Sequence, residues 1–527
     1  MSSLEFLLNH SPALIVAIPL LGAFLTPLIS KAGDKARNIW VIFIAGFTTF
    51  LVFLLSYDIL SNGSIRTYVF GGSHIAGETV VRIFFEVDGM NAFMAIIACL
   101  LPLVAIIYSW AFMKEHTGLD KYYTLILLMI AGMMGMILTG DMFNFFVFIE
   151  ITSISSCALI AFWTNKGKSV DAGFKYIVIS AIGALFILFA VALLYGQYNA
   201  LNIAVLAGQI GVPQLTFLDK IALALLIGAL ALKAGIVPMH MWLPDAYSRA
   251  PSSVTLILIG ATQASLYGAF RMIFTLYGNH LETMVSNISI NMSGLLGIII
   301  VILAILTILI GVLMALKESD FKRMIAFAAV AEIGYMILAV GAAMSSLGTE
   351  LGVNALKGGI FHILNDALDV GLLFLVAGAI YYATRETSLN RLGGLARNMK
   401  YTTIFFVIGL LAVAGMPPLN GFASKLLIYE STYLINPILS IIAILCSILL
   451  LAVFIKVFHS AFLGPKIPKF EGVKEAPKSM LIAMGIIAAI IIFIGLFPDL
   501  IVNNIVTPAV EALKDNTLYI QILGGVP

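Results

Sequence analysis

The sequence predicts an all-α polytopic membrane protein of about 14 transmembrane helices, with two inverted five-helix repeats and broken seventh and twelfth helices. Three observations carry this expectation. Hydrophobic residues fill 61% of the 527 positions and charged ones only 11%, at a mean hydropathy of +1.07, where a soluble domain carries about 25% charge. Apolar runs of about 20 residues recur from end to end, the length at which a helix crosses a bilayer. Two of those runs are interrupted by similar Gly/Pro segments.

In order, spans are expected near 11–30, 38–60, 90–112, 122–140, 143–163, 173–197, 218–237, 252–276, 293–316, 322–344, 356–382, 402–418, 432–462 and 477–498. The first run, Pro12 to Ile29, lacks a basic leader and a cleavage signature, so it is expected to be a retained helix. Residues 200–214 read as an interfacial segment. After Pro418 the twelfth run resumes as a second half-helix, Phe422 to Leu434, and the tail beyond Ile501 reads as an amphipathic surface segment. The domain division follows: 1–115 for spans one to three, 120–276 for the first repeat, 292–463 for the second, and 470–527 for the last span and tail.

Loops after odd-numbered spans hold most of the 29 lysines and arginines, among them Lys31, Lys35, Arg37, Lys166, Lys168, Lys322, Arg323, Arg391, Arg397 and Lys400. Because basic loops stay cytoplasmic, both termini are expected on the non-cytoplasmic side of the cell membrane. Cys99, Cys157 and Cys446 lie inside apolar runs without ligand spacing, which argues against disulfides, zinc or an iron–sulfur cluster. No cofactor is expected in this chain, and no electron transfer by it. A net charge of +2 without a basic cluster argues against nucleic-acid binding.

Four basic residues fall within spans: Lys233, Arg271, Lys425 and Lys456. Arg271 and Lys456 lie toward span ends, where long side chains snorkel to the interface. Lys233 stands deep in an apolar run, five residues before Pro238 and the polar segment His240, Trp242, Pro244, Asp245, Pro251. An ammonium in hydrocarbon must pair or lose its proton, and broken backbone is tolerated at membrane depth only where it lines an enclosed or watered cavity. Ala234-Gly235-Ile236-Val237-Pro238-Met239 resembles Ala414-Gly415-Met416-Pro417-Pro418-Leu419, and Glu150 matches Glu332, both about 180 residues apart. Five spans per period make the two units opposite in topology. Inverted repeats with matching interrupted helices point to a transport site near the midplane.

The ionisable residues inside these spans admit more than one role. Glu150 sits among aromatics in Phe143-Asn144-Phe145-Phe146-Val147-Phe148-Ile149-Glu150. It is either half of a structural ion pair or the partner of Lys233, where a contacting carboxylate keeps a proton on the amine and its withdrawal releases it. Lys425 either satisfies the last carbonyls of the preceding half-helix or ends a proton path. His240 is a relay or a cap on the break. His362, Asp366 and Asp369 fall at i, i+4 and i+7 on one face of the eleventh span, which suits a watered proton path or a cation site. Metal binding there lacks a fourth ligand.

At these residues the chain resembles the antiporter-like membrane subunits shared by respiratory complex I, Mrp-type cation/proton antiporters and membrane-bound hydrogenases or related sulfur reductases. The resemblance spans about 85–465 and rests on Thr139-Gly140-Asp141-Met142-Phe143 with Glu150; Lys233-Ala234-Gly235, Pro238, His240, Trp242-Leu243-Pro244-Asp245-Ala246 and Ala250-Pro251; Asp320-Phe321-Lys322-Arg323 and Gly334-Tyr335; Phe361-His362-Ile363-Leu364-Asn365; and Gly421-Phe422 with Lys425. It implies two inverted five-helix units, a polar axis along the membrane plane, a Glu150–Lys233 coupling pair, and a proton path ending at Lys425. The wording of Thr139 to Ser156 leans toward the Mrp D and hydrogenase or sulfur-reductase branch. The chain departs from the pattern twice. The family's eighth helix commonly carries a lysine where Ser265 stands, and its eleventh often reads His-Ala-Leu-Phe-Lys where Asp366-Ala367-Leu368-Asp369-Val370 stands.

Three functions are in play: a proton- or cation-translocating subunit of a redox-driven complex, a subunit of a redox-independent Na⁺/H⁺ antiporter, and a non-conducting coupling element. The partners expected are other membrane subunits, H⁺ and/or Na⁺, and lipid.

Overall fold

The computed structural model describes residues 3–70, 83–212, 214–278, 281, 292–465 and 467–523. Helices dominate: α1 (Ser3–Ile29), α2 (Asp34–Asn62), α3 (Gly89–Phe112), α4 (Leu119–Leu138), α5 (Met142–Ile160), α6 (Gly167–Tyr198), α7 (Ile203–Gln209), α8 (Phe217–Ala234), α9 (Trp242–Arg249), α10 (Ser252–Phe270), α11 (Met292–Lys317), α12 (Phe321–Ser345), α13 (Glu350–Thr384), α14 (Lys400–Val413), α15 (Asn420–Ile435), α16 (Pro437–Val457), α17 (Lys478–Leu496), α18 (Pro498–Ile501), α19 (Thr507–Lys514) and α20 (Thr517–Leu523). One antiparallel hairpin, β1 (Arg66–Val69) with β2 (Phe84–Val87), pairs Arg66 with Val87. Among the described residues, 13 helical stretches are long and apolar enough to cross a membrane. The expected twelfth span is present as the shorter α14 and, past the break, α15. The chain is an all-α, multi-pass membrane protein.

Burial sorts the spans. The apolar windows of α10, α12 and α13 are wholly enclosed by other helices, whereas α6, α11, α16 and α17 bury only 39% of theirs. The enclosed three carry Gln263, Glu332, His362, Asp366 and Asp369, because polar side chains inside a membrane are supportable only where protein can partner them. Local chemistry also sets where helices start. Asp141 accepts the Asn144 N–H at 2.6 Å ahead of α5, and Asp320 accepts that of Arg323 at 3.1 Å ahead of α12.

Both interrupted helices end alike. Gly235, at φ +78°, closes α8 through bonds from its own N–H to Leu232 O and from Ile236 N–H to Ala231 O. Gly415, at φ +69°, follows α14 with the corresponding bonds to Ala412 O and Leu411 O. The left-handed conformation at each position is the reason glycine stands there.

Three expectations about the elements change. The predicted thirteenth span divides at Asn436, where Pro437 opens α16 and Asn436 accepts the Ile438 N–H, since proline is favoured in a first turn and not inside a helix. The tail does not simply lie on the surface: Ala509, Val510, Leu513 and Tyr519 are buried, and Pro508 packs so closely on Gly89 that no side chain fits there. Arg271 does not snorkel. It is 2% exposed, and its two terminal nitrogens hold both Asp88 oxygens at 2.7 and 2.8 Å.

Candidate ion-translocation site

The break after α8 is tied down before any chemistry begins. Trp242 Nε1 donates to Leu232 O at 2.9 Å, and Val237 N–H donates to Thr307 Oγ1 at 3.2 Å. Backbone groups freed by the interruption thus find protein partners, as membrane depth requires. Lys233, one turn inside, is 7% exposed and donates to Ser180 Oγ at 2.6 Å and Ser153 Oγ at 2.9 Å. Ser153 stands one helical turn beyond Glu150 on α5.

No hydrogen bond or ion pair joins Glu150 to Lys233 among the described residues. Glu150 is half-buried, and its Oε1 has no hydrogen-bond partner among the described residues. Lys233, Ser153, Ser180, Thr262 and Ser265 line one small cavity, with about 20 Å³ open to the centre of a water molecule, enough for at least one water. His240, 6% exposed in the turn after the break, has no hydrogen-bond partner at Nδ1 among the described residues.

The second broken helix is partnered differently. Lys425, on α15 just past the break and 1% exposed, meets Glu332 Oε1 at 2.8 Å. It also donates to Val413 O, at the end of α14, at 2.7 Å and to Ser447 Oγ at 3.3 Å, and its ammonium lies 4.5 Å from the centre of the Tyr335 ring. The other Glu332 oxygen meets His362 Nε2 at 2.8 Å. His362 Nδ1 is 3.0 Å from Ser424 Oγ, which in turn accepts from Asn365 Nδ2 at 2.8 Å. Lys425, Glu332, His362, Ser424 and Asn365 thereby form one hydrogen-bonded series drawn from three helices.

The eleventh-span stripe divides by partner. His362 faces α12 and α15, while Asp366 reaches across to α10 and accepts from Gln263 Nε2 at 2.9 Å. Asp369 packs beside Gly421 at the second break, and its Oδ1 has no hydrogen-bond partner among the described residues. Gln263 lies two residues before Ser265, so the Gln263–Asp366 bond joins the α8–α10 side of the site to the α12–α15 side. The stretch in which a lysine is missing therefore does contact the eleventh span. Among the described residues, no group of three or more His, Cys, Asp or Glu side chains is arranged to hold a metal ion.

A further buried polar cluster escaped sequence reasoning. Arg271, besides its fork onto Asp88, donates to Asn91 Oδ1 at 2.6 Å and Thr275 Oγ1 at 3.1 Å, with its guanidinium over the Tyr519 ring. Glu86 beside it is fully enclosed, and burial pushes its carboxyl well above the usual carboxylate range. The available signal was Glu86 and Asp88 with Asn91 three residues on. Asp88 also caps α3, accepting the Met90 and Asn91 N–H groups.

Comparison with known proteins matches this architecture over nearly the whole chain. The "NADH-quinone oxidoreductase subunit N" of Desulforudis audaxviator is 30% identical, covering 94% of this chain and 98% of its own. A chain of the membrane-bound sulfane sulfur reductase, an archaeal respiratory membrane complex, superposes with TM-score 0.85 at 29% identity, covering 97% of this chain and 99% of that one. A chain of the Mrp complex from Dietzia sp. superposes with TM-score 0.84 at 26% identity, covering 99% of both. The model of the family described as "NADH:quinone oxidoreductase/Mrp antiporter, TM" matches residues 139–451, from the cap of α5 into α16 and so across both breaks. The chain belongs to that family.

Proposed function

We propose that this chain is a proton- or cation-translocating subunit of a redox-driven membrane complex. It works beside other membrane subunits, with both termini on the non-cytoplasmic side of the cell membrane and residues 120–276 and 292–463 as two inverted five-helix units. The observation that carries this reading is the unequal pairing of two buried lysines at the two breaks. Lys425 is closed onto Glu332, whereas Lys233 rests on two hydroxyls and, among the described residues, makes no ion pair with Glu150.

A carboxylate in contact favours the charged amine; without it, burial favours the neutral one. The two ends therefore resemble the loaded and unloaded states of one device. Closing Glu150 onto Lys233 would load the first end. His362 can take a proton at Nδ1 from the Ser424 side and release one at Nε2 to Glu332, so Lys425 is the natural terminus. Asp366 and Asp369, with His240 on the first side, complete the ionisable series. The two acids also offer oxygen ligands to Na⁺ in place of a proton path. Likeness to the quinone oxidoreductase subunit and to the sulfane sulfur reductase chain supports the redox-driven setting.

Lys233→Ala in the assembled complex tests the reading. Loss of ion pumping in proteoliposomes with normal assembly is expected, and unchanged pumping would sink the coupling role. The nearly equal likeness to the Mrp chain favours a second reading, a redox-independent Na⁺/H⁺ antiporter subunit. Adjacent genes discriminate: a hydrogenase-like or quinone-reductase module supports the first, and small membrane subunits alone support the second. Ser265, whose hydroxyl donates to Ala261 O at 3.1 Å and to nothing else among the described residues, is the observation behind a third, non-conducting coupling role.

A further inference from the structure

Away from that series, at the lysine-rich end of the helices, three helix N-termini converge on one cavity of about 330 Å³. α6 begins there at Gly167, α10 at Ser252, and α12 one residue before Lys322. First-turn N–H groups lack intrahelical partners, and each carries the positive end of its helix dipole. Side chains reinforce that field. Lys166, Lys168, Arg249 and Lys322 line the cavity, and no carboxylate is among its lining residues.

Several of these donors are underused. Lys322 is 4% exposed; its ammonium donates to Ala250 O at 2.6 Å and makes no ion pair among the described residues. Among the described residues, Ser252, 1% exposed, has no partner for its hydroxyl, and Trp163, 8% exposed, has none for its indole N–H. Lys166 stands 3.6 Å from the centre of the Trp163 ring and donates to the Tyr381 hydroxyl at 2.7 Å. Nearby acids are committed elsewhere: Asp320 caps α12 and accepts from Thr387 Oγ1 at 2.8 Å, and Asp245 pairs with Lys175 and Arg323. A buried ammonium with no ion pair is costly unless it gives up its proton, and an anion in the cavity would hold its charge.

We propose that this cavity, lined by the starts of α6, α10 and α12 and by Tyr381 of α13, binds a phosphate-bearing anion, either an anionic lipid headgroup or free phosphate. Phosphate oxygens accept several charge-assisted hydrogen bonds at once, which suits a lining of ammonium, hydroxyl, indole and helix N-terminal donors. Basic pockets between membrane helices recognise lipid headgroups by the same chemistry. A bound anion would tie together the ends of the helices that carry Ser180, Gln263, Glu332 and His362, so it would stiffen the frame of the translocation series without entering it.

The test uses the purified complex containing the full chain, in phosphate-free detergent solution. Its thermal unfolding is followed with inorganic phosphate, with phosphatidylglycerol micelles, or with phosphatidylcholine micelles as the uncharged control. A concentration-dependent rise in melting temperature with phosphatidylglycerol or phosphate is expected, its half-effect concentration raised about tenfold by Lys322→Gln. A rise with phosphatidylglycerol alone assigns a lipid headgroup, and a rise with phosphate assigns the free ion. If Lys322→Gln fails to assemble, Lys168→Gln and Arg249→Gln, at less buried positions, give the same readout. No rise with either probe, an equal rise with phosphatidylcholine, or an undiminished response in the variants overturns the proposal.

Discussion

Lys233 and Lys425 look alike as sequence, each a lone cation beside a Gly/Pro interruption, yet they live in different surroundings. Sequence reasoning left Lys425 between satisfying the last carbonyls of the half-helix and ending a proton path. It does donate to one such carbonyl, and because an ammonium has three donors it divides them among that carbonyl, a carboxylate and a hydroxyl. Removing one partner of such a buried pair costs about 3–5 kcal/mol. Glu332→Ala is therefore expected to lower the thermal stability of the complex steeply, and Glu332→Gln, which keeps oxygen and nitrogen contacts for Lys425 and His362, much less. Equal losses would argue against the pairing. Arg271 was legible only as a charge near a span end. Its fork onto Asp88 needs a planar guanidinium, so Arg271→Lys is expected to destabilise the complex by about 2 kcal/mol. A denaturation midpoint matching wild type would count against that bond's importance.

At the scale of elements, the spans and both breaks were legible because hydropathy and Gly/Pro placement are local properties. The glycine at each left-handed position announced where a helix must stop. Close approach was less legible. A Cβ on Gly421 would collide with the Ala412 carbonyl oxygen, so Gly421→Ala should force α14 and α15 apart and abolish assembly, seen as loss of the complex on size-exclusion chromatography. The α5 cap carries a pH signature. Burial pushes the Asp141 carboxyl up to about 6, while N–H bonds from the Asn144 and Phe143 backbone pull it back. Since the ordinary value is about 3.9, the fold favours the neutral acid; that stabilisation is complete below pH 4 and lost as pH rises through 6. Asp141→Asn keeps a cap acceptor without titrating, so between pH 4 and 7 its melting temperature should fall less than that of wild type. Parallel curves would refute the assignment.

For the whole molecule, the three wholly enclosed helices explain where polar chemistry can survive. Lys233 and Ser265 share one cavity, and two residues from Ser265 the Gln263–Asp366 bond crosses to the second broken helix. Ser265→Lys places a second ammonium in space sized for a water or so. Under the conducting reading it is expected to change the ion-transport rate measured in proteoliposomes, whereas an unchanged rate favours a purely mechanical coupling role. The sequence by itself determined the membrane class, the spans, the two interruptions and the ionisable residues worth watching, since all of these follow from composition and local pattern. Only the tertiary structure decided the pairings. Lys233 meets hydroxyls, Lys425 closes on a carboxylate 93 residues away, and Arg271 finds Asp88 across 183 residues. Which distant groups meet inside the bundle is set by how helices pack against one another, and no local hydropathy pattern encodes that.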